Sequence, residues 1–177
     1  GQYHVNHDLK ELVDNSQIVF VAVQTPSLAD GSFDTKYLRG AVARTASYVD
    51  DYKVLSVIST VLPTTMRREI YPLVRDRPIG LCYNAYFIAM GTVIEDFLNP
   101  EFVIIGEQDA RAGAKLEGFY RTIVSEDTPI LHMTWEEAEV VKMTYNTFIG
   151  AKIVIANTIM EICHKIGHAN CDVVSKA

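Results

Sequence analysis

Four runs of apolar, largely β-branched residues punctuate the chain: IVFVAV (18–23), VLSVIS (54–59), IGLCYN (79–84) and FVIIG (102–106), with a shorter ILHM at 130–133. Apolarity that is continuous rather than alternating marks strands buried on both faces. Between the runs lie stretches of helical length, at about 34–49, at 63–75 behind Pro63, and at 110–123. Strands alternating with helices at this spacing predict βαβ units and a mainly parallel sheet with flanking helices. The fold class is α/β.

After the sheet the character changes. Thr134-Trp-Glu-Glu137 has the spacing of a capping box, and only the tolerated Gly150 interrupts helical character until Gly167. Roughly 30 residues of helix span about 45 Å, more than a domain of this size can cover. The helix over 135–166, apolar on more than one face, is expected to bury itself against a second copy or a further domain. Lys142, Asn146, Lys152 and Asn157 interrupt its apolar stretch, which argues against a bilayer span. Another box, Asp8 to Glu11, predicts a short helix ending near Asn15-Ser16, and CDVVSKA (171–177) reads as the start of one more.

With 49% apolar and 21% charged residues, the chain is expected to fold along most of its length. A formal net charge of −6 and a pI near 5.3 disfavour a role built on phosphate-backbone contacts, so nucleic acid is not an expected partner. Cys82, Cys163 and Cys171 are an odd, sparse set. They fit reduced thiols in a cytoplasm better than a disulfide framework, and no signal peptide opens the sequence.

Two pairs of hydroxyl-bearing residues draw attention. Thr25-Pro26 directly follows the first buried run, and Ser59-Thr60 closes the second. Ligands of open parallel sheets bind beyond the carboxyl ends of the strands, although Thr and Ser also serve simply as turn formers. Lys142 and Asn146, four residues apart, share one helical face; they are either donors aimed into a site or a solvated stripe. Cys163, His164, His168 and Cys171 offer soft metal ligands, but their spacing matches no zinc module and Gly167 separates the histidines, so no metal is assigned. A GxGxxG fingerprint, a P-loop, HExxH and GxSxG are all missing.

The segments SQIVFVAVQTPSLADGSFDTKYL, VLSVISTVLPTT, YNAYFIAMGTVIEDFLNPEFVIIGE and EEAEVVKMTYNTFIGAKIVIANTIMEICHKIGHANCDVV closely resemble, in unbroken order, the UDP-glucose/GDP-mannose dehydrogenase family. The resemblance implies a partial Rossmann-type parallel sheet over 1–133, lacking its first βαβ unit, and a central helical dimerisation region over 134–177. It runs from the third Rossmann strand to the end of the central helix. The family's glycine loop would lie before Gly1 and its catalytic cysteine, together with the C-terminal sugar-nucleotide domain, after Ala177. None of the three cysteines matches the nucleophile, so the chain alone is expected to be inactive.

Intact members oxidise the C6 alcohol of a UDP- or GDP-sugar to the uronate with NAD. By resemblance, Thr25 and Pro26 form a cofactor-side turn, and Ser59 and Thr60 match a Ser-Thr pair whose threonine positions cofactor and water. Lys142 and Asn146 match the helix residues that hydrogen-bond the sugar, and the helix 135–166 makes a homodimer. The substrate loop corresponds to Tyr86, Phe87, Ile88, Ala89, Met90 and Gly91. Within it Tyr86 replaces a catalytic glutamate, Ala85 a proline and Met90 a frequent second glutamate. A phenol is a poor substitute for a carboxylate base at neutral pH. Glu101, in the look-alike Asn99-Pro100-Glu101-Phe102, reads as structural. Thr64 stands where the family has glycine. The alternative is a degenerate relative that keeps the fold for dimerisation or ligand binding. Losing the first strands also implies that residues 1–7 do not pair beside Ile18–Val23.

Overall fold

The computed structural model describes residues 4–89 and 91–177. They fall into two units, one ending at Val140 and the other running from Val141 to Ala177.

The first unit is built on a five-stranded sheet in the order β1-β2-β3-β4-β5. Its strands are β1 (Ile18–Val21), β2 (Lys53–Val57), β3 (Ile79–Tyr83), β4 (Val103–Glu107) and β5 (Ile130–Met133). β1, β2 and β3 are mutually parallel, as are β4 and β5, while β4 runs antiparallel to β3. That last junction is short: only Cys82 opposite Glu107 and Tyr83 opposite Gly106. Among the described residues β1 pairs with β2 alone, and residues 4–7 form no strand; residues 1–3 lie outside the described residues.

Alternation along the strands sends Val54, Cys82, Val103 and Ile105 to one face, where Ala112, Leu116 and Tyr120 of α4 (Ala110–Tyr120) complete a core. Leu55, Leu81 and Ile104 point the other way and are equally buried. On that side Gly106 admits the start of α5 (Trp135–Ile166), for a Cβ there would lie 2.8 Å from Ala138 Cβ. Trp135 donates its indole N–H to Leu81 O at 3.1 Å. The remaining elements are α1 (Leu9–Asp14), α2 (Lys36–Ala46), α3 (Val93–Leu98) and α6 (Cys171–Lys176).

The helix expected from Pro63 takes a different form. Thr64 adopts φ +77°, the one non-glycine residue in the left-handed region among those described. Helical structure begins only at Met66, as a π-helical turn over Met66–Ile70 followed by a 3₁₀ turn over Tyr71–Leu73. Pro72, which has no N–H to donate, sits at the change of winding.

The second unit is the body of α5 with α6. Gly167, at φ +77°, terminates α5 as a left-handed cap, and the Asn170 side chain accepts the Asp172 N–H at 2.8 Å to begin α6. Phe148, Ile153, Val154, Ile155, Ile162 and Ile166 are each more than half exposed. By length and composition alone, α5 is long and apolar enough to cross a membrane.

Candidate functional site

Each parallel strand delivers a turn at its carboxyl end. The turn after β1 carries Thr25 and Pro26, and the turn after β2 carries Ser59 and Thr60. Hydrogen bonds join the two. Ser59 Oγ accepts the Val23 N–H at 3.0 Å and donates to Val23 O at 2.7 Å, and Thr25 Oγ1 donates to Thr60 O at 2.7 Å. Pro26 O accepts the Asp34 N–H at 2.8 Å. Thr25, Ser59 and Thr60 thus form one assembly, beside an open cleft of about 660 Å³ lined by Ala22, Val23, Gln24, Tyr37, Ile58 and Ser59.

This cleft lies beyond the carboxyl ends of β1 and β2, where open parallel sheets bind their ligands. It does not supply the phosphate cradle, because no glycine-rich turn entering a helix lies beside it among the described residues.

The loop after β3 has another destination. Tyr120 donates its hydroxyl to Asn84 Oδ1 and lies 3.1 Å from the Tyr86 hydroxyl. The Tyr86 ring meets Phe97 edge-on at 5.5 Å, and Phe87 meets Phe102 at 4.8 Å. Ala89 N–H binds Asp96 at 2.8 Å. Tyr86, Phe87 and Ile88 therefore line an aromatic cavity of about 30 Å³, room for a water-sized guest, that shares no lining residue with the cleft. Burial pushes the Tyr86 phenol above its ordinary value. Gly91 continues the loop, and Met90 lies outside the described residues. Glu101 is exposed in the turn between α3 and β4.

In the second unit Lys142 and Asn146 occupy successive turns of one face of α5. Lys142 is buried, and desolvation lowers its ammonium below the usual lysine value; Asn146 is exposed. Cys82, in β3 on the face covered by α4, is pushed up to about 12 by burial and by the nearby Glu107 and Asp109 carboxylates, a thiol held far from its nucleophilic form. Among the described residues no group of three or more His, Cys, Asp or Glu is placed to hold a metal ion.

One group escaped the sequence reading. Glu139, fully buried on α5, accepts the Thr64 N–H at 2.6 Å and the Met66 N–H at 2.7 Å. Burial raises its carboxyl above the ordinary range, and the two N–H groups pull it back. At the start of a helix a glutamate reads as a partner for the helix dipole, so no local signal separates it from Glu136 and Glu137.

A sequence model of the UDP-glucose/GDP-mannose dehydrogenase family, NAD binding domain, matches residues 1–124. The UDP-glucose 6-dehydrogenase of Rhizobium meliloti is 31% identical, over 94% of this chain and 40% of its own length. The GDP-mannose 6-dehydrogenase of Pseudomonas aeruginosa is 33% identical, with 94% and 40% covered. Among solved structures, a ternary complex of GDP-mannose dehydrogenase from Pseudomonas aeruginosa matches with TM-score 0.88 at 31% identity, covering 97% of this chain and 41% of that one. A UDP-glucose dehydrogenase from Pyrobaculum islandicum matches with TM-score 0.80 at 30% identity, covering 89% and 38%. The chain spans about 40% of the length of the curated relatives named here.

Proposed function

Because the chain belongs to the UDP-glucose/GDP-mannose dehydrogenase family, we propose that it is the portion of an NAD-dependent nucleotide-sugar dehydrogenase that walls the cofactor and holds the reacting sugar oxygen. The intact protein would oxidise the C6 alcohol of a UDP- or GDP-sugar to the uronate. It would act as a cytoplasmic homodimer joined through α5. The observation that supports this reading is the joining of the two strand-end turns, Thr25 on Thr60 and Ser59 on Val23, beside one cleft.

NAD, when bound, would take the hydride from the sugar. The chain's own share is binding and electrostatics. Ser59 lines the cleft, Thr25 and Pro26 form the turn tied beside it through the Thr60 carbonyl, and the Thr60 hydroxyl would orient cofactor and water. The Lys142 ammonium donates to the C6 oxygen as negative charge grows there, an interaction strengthened by its burial. Asn146, one turn further along the same face, adds a second donor. Tyr86, Phe87, Ile88, Ala89, Met90 and Gly91 shape the substrate loop.

A second reading, a relative without full activity, is favoured by Tyr86. Its hydroxyl is turned to Tyr120 inside an aromatic pocket, so the loop presents no carboxylate at that position. One assay separates the readings. The intact protein is supplied with NAD and, in turn, UDP-glucose, GDP-mannose and an N-acetylated UDP-sugar, and NADH formed per sugar is counted. Two NADH support complete oxidation, one supports a reaction stopped at the aldehyde, and none with every sugar supports the non-catalytic relative.

A further inference from the structure

We propose that Glu139 is a positioning residue that sets the place of Thr60 at the cofactor cleft by clamping the backbone of the turn beyond it. This rests on the dehydrogenase reading for its consequence, though not for its geometry.

The connection from β2 to the π-helical turn spans residues 58–65. Its near end is fixed by Ser59 on Val23, and its middle by Thr25 on Thr60. Its far end turns at Thr64, where a β-branched residue holds φ +77°, a conformation such side chains avoid. An imposed conformation needs an external hold. The Glu139 carboxylate supplies one, because one oxygen takes the N–H of the strained residue, Thr64, and the other takes that of Met66 two positions on. A carboxylate is an acceptor only, so a pair of converging N–H groups suits it better than any neutral side chain.

The clamp stands on a fixed base. Thr134 and Glu137 cap each other at the start of α5, with Thr134 N–H on Glu137 at 2.7 Å and Glu137 N–H on Thr134 at 3.3 Å. Arg67, next after Met66, ion-pairs with Glu136 and lies 5.3 Å over the Trp135 ring. The first turns of α5 thus grip the segment through side chain and backbone together. If Glu139 let go, Thr64 would relax toward negative φ and draw Val61 to Pro63, and Thr60 with them, away from the cleft.

The test uses the intact protein with Glu139→Gln, Thr64→Gly and the double variant. A glutamine keeps one acceptor but turns its amide donors toward the other N–H. Glu139→Gln is expected to lower kcat by roughly 10- to 100-fold, the scale of an ångström-sized misplacement, with the KM for sugar unchanged within about twofold. Glycine occupies positive φ without being held, so Thr64→Gly in the Glu139→Gln background is expected to restore most of kcat. Amide hydrogen exchange at residues 64 and 66 gives a readout independent of turnover: faster in Glu139→Gln, slower again in the double variant. A kcat unchanged in Glu139→Gln despite a lower Tm, or no recovery in the double variant, overturns the proposal. Should Glu139→Gln not fold, Glu139→Asp carries the same test, retaining the charge one methylene short. If the wild type reduces no NAD with any sugar, the dehydrogenase reading fails by itself, and the exchange pattern alone still decides whether Glu139 holds this turn.

Discussion

At the scale of single residues, Thr64 is where local preference and tertiary demand collide. A left-handed L-residue costs about 1–2 kcal/mol, and removing the Cβ returns part of that against the greater freedom glycine has when unfolded. Thr64→Gly is expected to stabilise the fold by up to about 1 kcal/mol, raising Tm by roughly 2–4 °C in a calorimetric scan. His132 offers a second test. Its two ring nitrogens bind Glu107 at 2.9 Å and Glu117 at 3.0 Å, and Glu117 is also held by Arg121 at 3.3 Å. Carboxylates only accept, so both nitrogens must carry protons and the ring is an imidazolium. Burial works against that charge, but hydrogen bonds to Glu107 and Glu117 outweigh it and raise the imidazole above its ordinary 6.5. The bridge's stabilisation is therefore complete below about 6.5 and is lost as pH rises through the higher folded value. Glu117, lowered from 4.5 chiefly by its bond to His132, sets the acid limit. Tm measured from pH 6 to 9 is expected to fall in the wild type, with this component absent in His132→Gln. Thr64 could be flagged in the sequence because the family has glycine there. Glu139 could not, since what distinguishes it is a pair of contacts to positions 75 and 73 residues away.

At the scale of elements, the strands were legible to within a residue or two, because continuous β-branched runs have few other folded states. The long helix α5 was legible from its capping box. α3 was missed because the Thr92 hydroxyl binds Asp96 instead of capping the backbone, and a helix of six residues leaves little periodicity to read. The winding change near Pro72 was likewise hidden, as a proline marks a disturbance without choosing its form. Two glycines of α4 make a matched experiment. A Cβ on Gly113 would collide with the Glu107 carboxylate, whereas Gly118 has nothing within 4 Å. Gly118→Ala is expected to stabilise by about 1 kcal/mol or less through helix propensity. Gly113→Ala is expected to displace the Glu107 carboxylate from His132, so that the lost bridge offsets the helix-propensity gain and the variant is less stable than Gly118→Ala. Urea unfolding of both variants checks the contrast.

At the scale of the whole molecule, the apolar side chains exposed along α5 call for cover. Static light scattering is expected to give a dimer mass that falls toward the monomer in Ile153→Glu, a change on a face remote in sequence from every cleft residue. The first unit has a different weakness. Its sheet consists of two leaves, β1-β2-β3 and β4-β5, meeting at two opposed residue pairs. Side chains stitch that meeting: Asn84 Nδ2 to Ile104 O at 2.7 Å, Tyr120 to Asn84, and Trp135 to Leu81 O. Under tension such a join behaves as a tear line. Pulled in an optical trap, the unit would part between β3 and β4, releasing β4, α4 and β5 as one piece. Asn84 would then set the force at which the tear begins.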